Sequence, residues 1–235
     1  GLFAGIFTTL WTVQQGTFRQ NFFAMGRSGL VVGVIGAIGT ACFIPAFKLT
    51  SIANVALIYA ASPLIAALLA WIFIRERPSR STVFGAVLAL VGVGIIVSGS
   101  FGGSNFRGDM LALMMTLMMS GVMVIYRARP ETPGAGPAVL QSLFLLFPAL
   151  ALGQPLQTAP AEILILMALG VLFAIASVTL AEGAKRVPSG QTALLSSLET
   201  PLAPLLAFLV LAEVPNTATL IGGSVIFAAV LLSVR

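Results

Sequence analysis

One apolar run follows another along almost the entire chain, and the connections between them are too short to fold by themselves. A helix needs about 20 apolar residues to cross roughly 30 Å of hydrocarbon. Helices are predicted at Gly1–Val13, Gly29–Phe47, Ile52–Ile74, Thr82–Val97, Met110–Tyr126, Pro137–Leu152, Glu162–Ala181, Gly190–Ala212 and Ala218–Val234. Between them lie connections such as GSFGGSNFRG, RARPETPGAG, KRVPSG and EVPNT. Composition agrees: 58% of the 235 residues are hydrophobic and 8% are charged. A soluble domain carries about a quarter of its residues as charges. The pattern therefore predicts an all-α integral membrane protein with nine transmembrane helices. It excludes a nucleic-acid binder, a secreted disulfide scaffold and a soluble enzyme. The partner it implies is the lipid bilayer.

Charge placement gives an orientation. With the Gln14–Ser28 connection on the cytoplasmic side, ten basic residues fall inside: Arg19, Arg27, Arg75, Arg77, Arg80, Arg127, Arg129, Lys185, Arg186 and Arg235. Lys48 and Arg107 fall outside. Basic loops mark the cytoplasm, so the C-terminus is expected there. The chain has no histidine and one cysteine, Cys42, within an apolar run. Histidine metal sites, Ser-His-Asp triads and an intrachain disulfide are absent, and no cofactor is expected.

The chain also resembles itself 137 residues on, as in Gly33/Gly170, Val34/Val171, Ala37/Ala174 and Lys48/Lys185. The offset slips to 138 for Ser51/Ser189, Leu57/Leu195 and Pro63/Pro201. It returns to 137 for Pro78/Pro215, Thr82/Thr219 and Gly85/Gly222. Paired prolines, glycines and lysines make this more than shared apolarity. Two repeats follow, 1–98 and 99–235, with the first helix of a ten-helix parent missing from the first. A repeat of five spans places its second copy upside down. An inverted repeat supplies a midplane site that opens alternately to either side. A duplicated scaffold without transport is the other reading.

The runs SPLIAALLAWIFIRERP and GAVLALVGVGIIV, with LLSSLETPLAPLLAFLVLAEVP and GGSVIFAAVLLSV in the second half, resemble the drug/metabolite transporter superfamily, EamA type. The likeness covers nearly the whole chain. It implies two five-helix repeats, cytoplasmic termini and carriage of small metabolites, amino acids or toxic compounds across the bacterial inner membrane, often outward. The chain departs in lacking the first helix and in spacing Pro201 to Glu213 one residue closer than Pro63 to Glu76.

The residues themselves nominate a site. Glu199 lies near the middle of an apolar run, where an acidic residue costs roughly 2.5–3.5 kcal/mol. Thr192, Ser196 and Glu199 share one helical stripe, and Asn54 is the first-repeat counterpart of Thr192. Glu199 is expected to bind a proton or a cationic substrate group, or else to stay protonated between helices. Tyr59 and Gln141 are further binding candidates, with Ser62, Ser197 and Thr200 near the kinks. Pro63, Pro201 and Pro204 each remove a backbone donor within a run, as hinges or as static kinks. The methionine rows at Met110, Met114, Met118 and at Met115, Met119, Met123 fit core or lipid contact. Asp109, the sole aspartate, is expected at the interface. The expected protein is a secondary carrier of small molecules, an exporter, with protons as a coupling partner. An intramembrane enzyme, a channel and a non-transporting scaffold are the rivals. A saturable flux capable of counterflow separates carrier from channel.

Overall fold

The computed structural model describes residues 2–99, 103, 105–152, 160–186, 209, 212 and 216–233. Within them the chain forms α1 (Leu2–Gln14), α2 (Phe18–Phe22), α3 (Gly26–Leu49), α4 (Ile52–Ala60), α5 (Ser62–Ile74), α6 (Arg80–Ser98), α7 (Phe106–Ala128), α8 (Ala135–Leu152), α9 (Pro160–Arg186) and α10 (Thr217–Ser233). Among the described residues four helices are long and apolar enough to cross a membrane: Gly26–Leu49, Arg80–Ser98, Phe106–Ala128 and Glu162–Gly183. The protein is a multi-pass membrane protein. Its apolar side chains face outward as well as inward: Leu164 is 70% exposed, Leu172 63% and Phe147 71%. Such a surface requires hydrocarbon around it.

Two differences from the expected helices have physical causes. The five-residue α2 lies in a connection read as irregular. Its Phe18 and Phe22 rings stack at 4.4 Å, with Phe23 edge-on to Phe18. The predicted helix Ile52–Ile74 is broken into α4 and α5, bent by 42°. Pro63 has no N–H to donate to the preceding turn, and it disfavours helical backbone at Ser62. It falls instead in the first turn of α5, where the missing donor costs little. The predicted helix Gly190–Ala212 lies almost wholly outside the described residues.

The chain forms two compact units, each drawing on both halves of the sequence. One comprises Gly1–Ala41 and Ile125–Arg186, the other Cys42–Val124 and Val187–Arg235. In the first unit α1 packs on α8 and α9. The Cα of Gly5 faces Ser142, 137 residues on; a Cβ on it would sit 3.2 Å from the serine Cβ. Gly33 abuts Leu140 and Gly170 abuts Phe3, so each contact is the other with its partners exchanged by the same offset.

The second unit holds the described hydrophobic core, including Ile58, Ile65, Ala89, Ile96, Met115 and Ile226. Its most extensive helix pair is α6 with α10. Ser81, at the start of α6, donates from Oγ to the Leu232 carbonyl at the end of α10. Gly99, just past α6, lies against Ala218 at the start of α10. These contacts make the two helices antiparallel. They cross tightly: a Cβ on Gly92 would lie 2.7 Å from the Gly222 carbonyl oxygen, and one on Gly222 2.5 Å from that of Gly92. Small residues let backbones approach this closely in membranes.

Candidate functional site

Helix starts in the second unit converge on one buried carboxylate. Ser51 caps α4, its side chain accepting from the Asn54 N–H at 3.1 Å. The cap places Asn54 in the first turn, facing inward. Asp109 lies in the first turn of α7, where the helix dipole favours an anion. Asn216 caps α10, accepting from the Thr219 N–H at 2.8 Å. Asp109, Asn54 and Thr219 are at 0%, 0% and 1% exposure, so Asp109 is not interfacial as its place in the sequence implied. The end of an apolar run is exposed only if no other element covers it. Here the chain at Leu49–Thr50 lies against Gly108, where a Cβ would be 2.6 Å from the Thr50 nitrogen.

The hydrogen bonds run in one direction. Thr50 Oγ1 donates to Asp109 Oδ1 at 2.6 Å. Asn54 Nδ2 donates to Asp109 Oδ1 and Oδ2 at 3.0 and 3.2 Å. Thr219 Oγ1 donates to Asn54 Oδ1. Asn54, nominated as a binding residue, is thus held inside a network of side chains. Neither Asp109 nor Thr219 was nominated as a site residue. The spacing of Asn216 and Thr219 as cap and third helical residue was the one local signal that pointed there.

The broken helix is pinned by the same α7. Ser120 Oγ donates to the Ser62 carbonyl at 3.0 Å, beside the Pro63 break. Serine bonding of this kind is how membrane bundles satisfy backbone groups at a broken helix. Tyr59, half-buried on α4, packs against the core. Met115 is buried, whereas Met114 on the adjacent row is exposed.

In the first unit Gln141 on α8 donates from Nε2 to Thr40 Oγ1 on α3 at 2.6 Å. Gly36 leaves room for it: a Cβ there would be 2.6 Å from Gln141 Oε1. A cavity of about 250 Å³ opens beside this pair, lined by residues of α1 and α8 that include Gly5, Ile6, Thr9, Ser142 and Leu146. Its hydroxyls are spent within their own helices, Thr9 on the Gly5 carbonyl and Ser142 on that of Ala138. The structure therefore brings Asn54 to Asp109 and Gln141 to Thr40, in separate units. Glu199, Ser196, Thr192, Ser197, Thr200, Pro201, Pro204 and Glu213 lie outside the described residues, and of Pro63 only the backbone is described.

Local geometry repeats at the sequence offset. Among the described residues the non-glycine positions with positive φ are Arg75 at 55° and Ala212 at 54°, 137 residues apart. Ser79 caps Thr82 as Asn216 caps Thr219: the serine accepts from the Thr82 N–H at 3.1 Å and bonds its hydroxyl at 2.9 Å. The corresponding Asn216 contacts are 2.8 and 2.9 Å.

Known proteins share these features. The model of the EamA-like transporter family matches residues 1–98 and 106–235. A stretch of 99 residues, 42% of this chain, is 30% identical to the uncharacterized transporter YyaM of Bacillus subtilis (strain 168). That stretch spans 32% of YyaM, about a third of its length. A solved chain titled "Crystal structure of protein" superposes over 98% of this chain and 82% of its own, with a TM-score of 0.66 at 21% identity, and so shares the fold.

Proposed function

Because the chain belongs to the EamA-like transporter family, we propose that it works as a secondary carrier. It exports small metabolites, amino acids or drug-like compounds across the bacterial cytoplasmic membrane by alternating access, with its C-terminus in the cytoplasm. The observation that carries this reading is the antiparallel crossing of α6 and α10. Their matching sequences, with Thr82/Thr219 and Gly85/Gly222, occupy equivalent places in the two repeats. Antiparallel equivalents are what an upside-down second copy requires. Such a pair of copies has two conformations of similar energy, one the mirror in function of the other, and this is the physical basis of alternating access. The exchanged contacts Gly33–Leu140 and Gly170–Phe3 support the same reading.

Glu199 is the proposed proton or cation site, with Ser196 and Thr192 on its stripe. Gln141 supplies a proposed amide contact to substrate, and Pro63, Pro201 and Pro204 are proposed hinges. Reconstitution into proteoliposomes tests the reading: a loaded small-molecule substrate should drive saturable counterflow. Unsaturated conductance would instead support a channel. Unchanged flux and pH dependence in Glu199→Gln would remove Glu199 from the mechanism.

A further inference from the structure

We propose that Asp109 is a proton-binding carboxyl whose protonation state sets how firmly the start of α10 is tied to α4 and α7, independently of Glu199. Three observations converge. Asp109 is fully buried. Its two oxygens are served by Thr50 and Asn54, and among the described residues no cation pairs with it. The charged residues nearest it on the surrounding elements, Lys48 at the end of α3 and Arg107 on α7, are exposed, and neither α4 nor α10 carries a charge. The titratable Tyr59 is on α4, five residues beyond Asn54. A buried anion without a counter-ion is held only by hydrogen bonds and helix N-termini. Adding a proton removes the need for both.

The bonding pattern dictates what that proton does. An ionised carboxylate only accepts, whereas a protonated one must also donate. Thr50 can reverse, since a hydroxyl both gives and takes, so its 2.6 Å contact survives in either state. Asn54 Nδ2 can only donate, and its bonds to Asp109 fall from charge-assisted to neutral. Asn54 Oδ1 is the acceptor for Thr219. Weakening the hold on the Asn54 amide therefore loosens the first turn of α10, where Thr219 and Leu220 donate their N–H groups to Asn216. The proton moves between solvent and Asp109 Oδ; no other bond is made or broken.

Infrared difference spectra of the protein in lipid nanodiscs, stepped from alkaline to acidic buffer, test the assignment. A protonated-carboxyl band should appear in the wild type and in Glu199→Gln and be lost in Asp109→Asn. Amide exchange at Thr219 and Leu220, relative to its intrinsic rate, should rise about tenfold on acidification in the wild type, the loss of one charge-assisted contact. It should not respond in Asp109→Asn. The same band in Asp109→Asn overturns the proposal. Should that variant fail to fold, Thr50→Val decides: removing a donor to the carboxylate shifts the band's pH midpoint upward, and an unmoved midpoint overturns the proposal. Absent counterflow with this band present would sink the carrier reading alone.

Discussion

Asn54 spends its side chain in three directions: its nitrogen serves Asp109 and Thr50, and its oxygen accepts from Thr219. Replacing it with alanine strands a buried carboxylate and a buried hydroxyl. Each unsatisfied group costs about 1–3 kcal/mol. Asn54→Ala should therefore lower the thermal midpoint markedly, followed by circular dichroism in detergent. Ser120→Ala should lower it far less, because an interhelical hydroxyl contact in a membrane is worth about 0.6 kcal/mol. Equal losses would mean that the Asp109 network carries no special stability. Little of this was legible beforehand. Asn54 stood out as polar in an apolar run, but its partners Asp109 and Thr219 are 55 and 165 residues away. No local pattern specifies a pairing at that range. Gln141 was read as facing a cavity; its contact with Thr40 depends on Gly36 having no side chain.

Helices obey a sharper rule at their crossings. Gly92 and Gly94 are two residues apart on α6, yet only Gly92 faces α10; a Cβ on Gly94 would meet nothing within 4 Å. Gly92→Ala and Gly222→Ala should each destabilise by roughly 1–3 kcal/mol, as overpacking does where backbone cannot yield. Gly94→Ala should be neutral or stabilise by about 0.5–1 kcal/mol through helix propensity. Urea or heat denaturation of the three variants would show the contrast, and a Gly94 loss matching that of Gly92 would refute the crossing. Pro63 shows the complementary limit. Its power to interrupt a helix was plain from the residue type, but whether the run kinked or split into α4 and α5 depended on Ser120 reaching the Ser62 carbonyl.

For the whole molecule, the sense in which each repeat is threaded is the quantity to measure. Ser79 and Asn216 are exposed caps at positions 137 residues apart. In a Cys42→Ser background, Ser79→Cys and Asn216→Cys should react with an impermeant maleimide from opposite faces of the membrane. Labelling of both from one face would contradict an inverted repeat. A second check is chemical: Ser81→Cys with Leu232→Cys should form a disulfide on mild oxidation, because the two positions touch. Failure would contradict the antiparallel pairing of α6 and α10.

By itself the sequence determined the solvent. With 8% charged residues and apolar runs of membrane length, no arrangement of this chain could be stable with water on all sides. It also determined the caps, the proline break and the repeat, because those depend on neighbours a few residues apart or on self-similarity along the chain. The tertiary structure alone decided which helix surfaces meet. Lipid and protein interior are almost equally apolar, so hydropathy does not mark the face of a membrane helix that turns inward. Close packing at Gly92 and Gly222, and the burial of Asp109 beneath Thr50 and Asn54, follow from shape and hydrogen bonding between distant segments. Those are properties that only the folded chain possesses.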